Sequence, residues 1–450
     1  MFFLPAIAGE RNRISKNAYN DNGETVHYQE VRRLEQIVIN GGTPLQGSVR
    51  IHGAKNAVLP ILAATVLADG VHTVKNCPRL SDVSITEEIL KSLGAKTVRR
   101  EDALVVDATG ETGSFIPEKL MRKLRSSVVF MGAVLAKTGR VKISAPGGCE
   151  LGPRPIDLHL KALSLLGAEI YEEHGYLELY AKRLTGCHIH LDFPSVGATE
   201  NVMLAGVLAE GETVITNAAR EPEICDLANF LNACGARVSG AGTSSIRIEG
   251  VRTLHPASYT VMPDRIAATT YLCAAAATGG EVTVTHMEPE HISAVLSVLS
   301  DCGCDITCGK NTVHLKAPEK LSACGAIRTM PYPGFPTDAQ SLMLATLCVA
   351  RGTGLITETI FESRFKPVPE LSRMGAKISV SDRVAVIRGV DALWGAEVCA
   401  EDLRGGAALV IAGLCARGKT VIHNPCFLDR GYEALEENLA ALGADIKRYR

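Results

Sequence analysis

A chain of 450 residues exceeds one ordinary hydrophobic core and is expected to divide into two large domains. Its 46% hydrophobic and 21% charged residues describe a soluble globular protein, and a formal charge of -2 offers no electrostatic footprint for nucleic acid. The longest apolar stretches, such as Ala407 to Cys415, fall far short of the roughly 20 residues a membrane span needs, so no membrane crossing is expected.

Residues 1–34 open on a short apolar run, Met1 to Gly9, and pass into a polar mixture that includes Arg11, Asn17 and Asp21. The basic start and long apolar centre of a signal peptide are missing, and the segment reads as a disordered tail. Fourteen cysteines are scattered through apolar segments without the dense framework of secreted mini-domains, which points to a reducing, cytoplasmic compartment.

Beyond the tail the chain repeats itself. Six helix-like stretches end in Ser92-Leu93-Gly94-Ala95, Leu165-Leu166-Gly167-Ala168, Ala233-Cys234-Gly235-Ala236, Asp301-Cys302-Gly303-Cys304, Arg373-Met374-Gly375-Ala376 and Ala441-Leu442-Gly443-Ala444, with successive glycines 73, 68, 68, 72 and 68 residues apart. Each is followed by an alternating run such as Lys377-Ile378-Ser379-Val380, which reads as helix, left-handed glycine cap, then strand. A second series of alanine-rich helices ends at Gly70, Gly139, Gly211, Gly279, Gly352 and Gly418. The pattern predicts an α/β fold of six βαβ-type units, three per domain, with a boundary near Ser258 to Met262.

Chemistry is sought where strands end and helices begin. Gly53-Ala54-Lys55-Asn56-Ala57 opens the first helix, so Lys55 is either a solvated surface charge or part of an anion site at a helix N-terminus. Cys149 lies in Pro146-Gly147-Gly148-Cys149, a loop too rich in glycine and proline for core, with Arg154 near enough to favour a thiolate; it reads as reactive or inert with equal weight. Phe335-Pro336-Thr337-Asp338 brings an acid to a helix start, where Asp338 is either a cap or a functional carboxylate. Cys302, Cys304 and Cys308 resemble a metal cluster only superficially, because Cys304 fills the alanine slot of the other repeats. Neither a phosphate-binding glycine-lysine loop nor a dinucleotide fingerprint is present, which argues against ATP or NAD chemistry.

Taken in order, Gly53-Ala54-Lys55-Asn56, Pro146-Gly147-Gly148-Cys149, Gly152-Pro153-Arg154-Pro155-Ile156-Asp157-Leu158-His159, Ser195-Val196-Gly197-Ala198-Thr199, Asn217 to Glu223, Phe335-Pro336-Thr337-Asp338, Asp402-Leu403-Arg404 and Asp429-Arg430-Gly431-Tyr432 closely resemble the UDP-N-acetylglucosamine 1-carboxyvinyltransferase family. The resemblance covers residues 35–450. It implies two domains, 55–262 and 35–54 plus 263–450, each an inside-out α/β barrel of three units, with substrates in the cleft between them. It implies transfer of the enolpyruvyl group of phosphoenolpyruvate to the 3′-hydroxyl of UDP-N-acetylglucosamine, the first committed step of peptidoglycan precursor synthesis, with no metal or organic cofactor.

By the same resemblance Lys55 and Asn56 anchor phosphoenolpyruvate and the sugar, and Arg125 joins them. Arg154, Pro155, Ile156, Asp157 and Leu158 hold the uracil, with Arg154 also assisting phosphoenolpyruvate. Ser195, Val196 and Gly197 present donors to the diphosphate. Asp338 faces the sugar hydroxyl as base, with Ile360 nearby, and Arg364, Arg404 and Arg430 close on phosphoenolpyruvate. Cys149 is the proton donor. Departures from the family pattern stand at His52, Ala267 and Phe427, where serine, glutamate and histidine are common. The related shikimate-3-phosphate enzymes share the architecture, but Cys149 and the Arg154-to-Asp157 segment favour the nucleotide sugar.

Overall fold

The computed structural model describes residues 15–19, 25–29, 35–144 and 156–449. Within the segment read as a tail, strands Ser15–Tyr19 and Thr25–Gln29 pair antiparallel. From residue 35 onward the strands fall into six sheets.

Five of the six share one order. An edge strand runs parallel to its neighbour, which is followed by two antiparallel strands, as in 258–260, 71–75, 103–107 and 96–100. The remaining sheet has three described strands, 140–144, 176–180 and 169–173, with a parallel bridge from Phe115 to Lys142 on its edge. Alternating sequence sets one face of each sheet inward: in Glu281–Thr285, Val282 and Val284 are fully buried between half-exposed neighbours. The glycines Gly94, Gly167, Gly235, Gly303, Gly375 and Gly443 that end the first series of helices have φ between 93° and 102°, a conformation that β-carbon sterics deny most residues.

Buried apolar side chains form two clusters, one spanning Ala54 to Val261 and the other combining Ile37 to Ile51 with Ile266 to Ile446. At the centre of the second, helices Arg265–Thr278, Thr337–Leu347 and Leu403–Cys415 pack on one another. Each buries nearly all of its residues and is therefore interior; in the last, every residue from Leu403 to Leu414 is buried. In the first cluster, Phe130–Thr138 packs on both Lys55–Ala64 and Val196–Gly206.

The chain passes between the clusters twice. Strand Gln46–Arg50 lies parallel to Glu281–Thr285, and strand Ser258–Thr260 lies parallel to Val71–Lys75. The two passages meet at a bridge between Gly53 and Pro263. Gly53 is required there, because a β-carbon would sit 1.8 Å from the Asn76 carbonyl oxygen. Beside the crossing, Glu223 of the first part is paired with Arg265 of the second at 2.9 and 3.2 Å, both side chains buried.

Removing one member of a buried, hydrogen-bonded ion pair leaves an uncompensated charge in a low dielectric. Arg265→Ala is therefore expected to cost about 3–5 kcal/mol, read as a lowered urea midpoint, and Glu223→Ala with Arg265→Ala should cost less than the two singles combined.

Candidate active site

The central helices deliver their first turns to one place. Helix Lys55–Ala64 has no side-chain cap of its own. Instead Asp264, which caps helix Arg265–Thr278 by accepting from Ile266 at 2.8 Å and Ala267 at 2.9 Å, also accepts the Lys55 backbone N–H at 3.0 Å. One carboxylate thus satisfies orphan donors of two helices that belong to different cores.

The Lys55 side chain is no solvated surface charge: it is 11% exposed, and its Nζ lies 2.8 Å from Asp82. Arg430 reaches the same carboxylate from the other core, Nε to Oδ1 at 3.0 Å. Burial opposes ionisation of Asp82, but the Lys55 and Arg430 charges outweigh it and hold the acid below its ordinary value. Burial in turn lowers Lys55, with Asp82 opposing and Arg430 adding to the effect.

Asp338 sits in the first turn of helix Thr337–Leu347 but does not cap it; the N-cap is Pro336, and no side chain closes that end. Its carboxylate pairs with Arg364, with Arg404 at 3.3 Å, and accepts from Asn56 Nδ2 at 3.4 Å. Burial again works against ionisation, yet Arg404, Arg364, Arg265 and Lys55 drive this acid far below the usual carboxylate range. Arg364 and Arg404 are themselves buried, at 3% and 4% exposure, so neither competes with bulk water for its partner.

A further layer orients the arginines. Glu358, fully enclosed, accepts from Thr337 Oγ1 and Thr329 Oγ1 at 2.9 Å and from the Ile360 and Phe361 amides at 2.7 and 3.0 Å. Thr337 Oγ1 meets Arg364 Nε at 3.2 Å, so Glu358 positions both that arginine and the loop bearing Ile360. Tyr432 accepts from Arg404 at 3.4 Å and is held by Thr270 at 2.8 Å.

Of the residues singled out in sequence, Lys55, Asn56, Asp338, Arg364, Arg404 and Arg430 are joined by these contacts, with Ile360 alongside. Ser195, Val196 and Gly197 form the start of helix Val196–Gly206, where Ser195 Oγ accepts from Ala198 at 3.3 Å. Facing it, half-buried Ile156, exposed Asp157 and half-buried Leu158 begin helix Asp157–Leu165, whose His159 feels the charge of Arg125. On the first of these helices burial, and after it the charges of Glu223 and Glu221, push Glu200 well above the usual carboxylate range, and Arg265, paired with Glu223, helps in turn to lower Asp338. Cys149, Arg154 and Pro155 lie outside the described residues. Cys302 and Cys304 are buried in the core and Cys308 is exposed. Asp82, Glu358 and Asp264 were not singled out as site residues; only Asp264, next to the proposed boundary, stands in a segment with any sequence signal.

In this two-core α/β protein four cations converge on two carboxylates at helix starts, an arrangement with the chemistry to hold a small, multiply charged anion. The chain belongs to the enolpyruvyl transferases: the family model for EPSP synthase (3-phosphoshikimate 1-carboxyvinyltransferase) matches residues 39–439. It is 55% identical to UDP-N-acetylglucosamine 1-carboxyvinyltransferase 2 of Caldanaerobacter subterraneus subsp. tengcongensis over 92% of this chain and 100% of that protein. It is 50% identical to UDP-N-acetylglucosamine 1-carboxyvinyltransferase of Trichlorobacter lovleyi over 92% and 99%. Among solved structures, the enolpyruvyl transferase NikO from Streptomyces tendae superposes with a TM-score of 0.83 at 26% identity, over 92% of this chain and 99% of that one. No helix among the described residues is long and apolar enough to cross a membrane.

Because Asp82 supplies counter-charge to two cations, Asp82→Asn removes that negative charge from beside both and makes the site more receptive to an anion from solution. Inorganic phosphate is expected to raise the melting temperature of this variant by about 2–4 °C more than that of the wild type. Equal shifts in the two proteins would detach Asp82 from an anion site.

Proposed function

We infer that the protein transfers the enolpyruvyl group of phosphoenolpyruvate to the 3′-hydroxyl of UDP-N-acetylglucosamine and releases phosphate, the first committed step of peptidoglycan precursor synthesis in the cytoplasm. Relatives at 50–55% identity over nearly their whole length support the reaction. The single observation that carries the chemistry is Asp338: a carboxylate held by Arg364, Arg404 and Asn56 at the meeting of two cores.

In this reading the cores are two domains, 55–262 and 35–54 plus 263–450, each an inside-out α/β barrel of three units, with phosphoenolpyruvate and the nucleotide sugar between them. Lys55 and Arg430 take the phosphate of phosphoenolpyruvate, with Arg154 from the loop that also carries Cys149. Arg364 and Arg404 take its carboxylate, which the planar guanidinium fork suits. Arg125, Ile156, Asp157, Leu158 and Pro155 line the nucleotide end, while Ser195, Val196 and Gly197 offer donors to the diphosphate.

The ion pairs give the reaction an order. Asp338 between two arginines is a poor base, since every proton it accepts forfeits two charge-assisted contacts. Phosphoenolpyruvate competes for Arg364 and Arg404, and as they turn to its carboxylate Asp338 regains basicity beside the sugar. It then removes the 3′-hydroxyl proton while the oxygen bonds to C2 of phosphoenolpyruvate and an acid, assigned to Cys149, protonates C3. The tetrahedral adduct returns a C3 proton to the thiolate left on Cys149 as its C2–O bond to phosphate breaks, and the cations stabilise the departing charge. Exclusion of water on closure protects the adduct.

Phosphate release from phosphoenolpyruvate should require UDP-N-acetylglucosamine; release with shikimate 3-phosphate instead would move the protein to the other branch of its family. Asp338→Asn is expected to lower turnover by roughly 10²–10⁴ while nucleotide-sugar affinity stays within about tenfold, because a base is lost rather than an anchor. Parallel losses of rate and affinity would demote Asp338 to an anchoring role.

A further inference from the structure

Asn201 lies in the middle of helix Val196–Gly206 and is fully buried. A buried amide must satisfy both ends, and here its orientation is determined by its neighbours. The Gly132 backbone N–H donates to Oδ1 at 2.6 Å, which assigns the oxygen. Nδ2 therefore donates one hydrogen to the Val128 carbonyl at 3.1 Å, while the Gly197 carbonyl at 3.4 Å is at most a weak, shared acceptor, which leaves the second hydrogen for another partner. The same Nδ2 stands 2.8 Å from Nδ1 of His159. An amide NH₂ only donates, so Nδ1 of His159 must carry the lone pair and the ring proton must reside on Nε2.

The Nε2 edge of that ring lies against the first turn of the Asn201 helix. A β-carbon placed on Gly197 would come within 2.9 Å of Cε1 and 3.2 Å of Nε2. Among the described residues none accepts from Nε2. The charged groups that bear on the ring are Arg125, which disfavours a second proton, and Asp157, which favours one. Burial is the larger influence and acts with Arg125, so the imidazole is pushed down to about 4 and stays neutral through the physiological range.

We propose that Asn201 is a positioning residue that holds His159 as its Nε2–H tautomer, so that a fixed, uncharged hydrogen-bond donor stands beside Gly197 where the nucleotide sugar's diphosphate is placed. The proposal rests on that placement of the diphosphate. A fixed neutral donor gives directional recognition without the cost of burying another cation next to Arg125. The diphosphate of a nucleotide sugar is a diester whose charge is constant through neutrality, so recognition by this pair is independent of pH.

The tautomer is read by nitrogen NMR of protein labelled with 15N-histidine, the His159 signals being assigned by their loss in His159→Gln. The expected wild-type spectrum has Nδ1 unprotonated and Nε2 protonated from pH 5.5 to 8, and in Asn201→Leu the two signals move toward a mixture of tautomers. Affinity for UDP-N-acetylglucosamine, measured calorimetrically, supplies a second readout that does not depend on that variant folding. His159→Gln, whose amide can place a donor near the Nε2 position, should bind within about threefold of wild type, while His159→Asn, whose amide reaches only the Nδ1 position, should bind about tenfold or more weakly. A wild-type Nδ1–H tautomer, an imidazolium at neutral pH, or equal losses in the Gln and Asn variants would overturn the proposal. Failure of the wild type to bind the nucleotide sugar while the spectrum shows Nε2–H would overturn the placement of the diphosphate and with it the role given to the pair, leaving the phosphate-release assay to decide the reaction separately.

Discussion

Asp82 and Asp338 are the carboxylates around which everything else is arranged. Four cations, Lys55, Arg364, Arg404 and Arg430, are drawn together by these two acids, and like charges at such range repel strongly once water is excluded. The acids make the gathering tolerable, each carboxylate being shared by two of the cations. In the proposed function the protein folds with its binding groups already in place and presents a site that a doubly charged anion would complete. Preorganisation of this kind is how an enzyme avoids reorganising charges during the reaction. It also explains why both acids are held in the ionised form despite burial.

The fold supplies this arrangement through helices that have no polar face to spare. Interior helices such as Leu403–Cys415 bury almost every side chain, so their only contact with polar surroundings is at their ends. There the unsatisfied backbone amides favour oxyanions, and the sequence places its charged residues in those first turns. Asp264 shows the economy of the scheme, since it caps one helix and ties down another across the core boundary. With Arg265 and Glu223 beside it, the crossing between the cores is stitched by buried polar contacts, which tolerate little misalignment.

Much of this was legible in the sequence, and what was not has a physical reason. The glycine series announced left-handed helix ends, and all six of its members adopt them. Lys55 and Asp338 stood out because each follows a turn-forming segment and precedes an apolar helix, whereas Arg404 was reached only through the family resemblance. Asp82 did not, for Leu80-Ser81-Asp82-Val83 is what any helix start looks like, and its importance lies in a partner 348 residues away. Glu358 was hidden for a similar reason, as its four partners come from three separate segments. Asn201 reads as an ordinary interior helical residue until Gly132 and Val128 fix which end of its amide is which. Sequence patterns report local geometry well; the partner of a buried charge is a property of topology.

Topology also governs when the molecule can be finished. Strand Gln36–Asn40 occupies an interior position in the last sheet, hydrogen-bonded on one side to Lys419–His423 and on the other to Asp445–Tyr449. During synthesis, a segment made near the beginning must therefore wait for two of the last segments to emerge before its backbone groups are paired. The core spanning Ala54 to Val261 has no such dependence and can form while the remainder is still being translated. Until residues 419–449 have been made, strand Gln36–Asn40, whose Ile37 and Ile39 are buried in the finished fold, lacks the neighbours it pairs with. Such an edge is the kind of surface that chaperones recognise and that aggregates recruit.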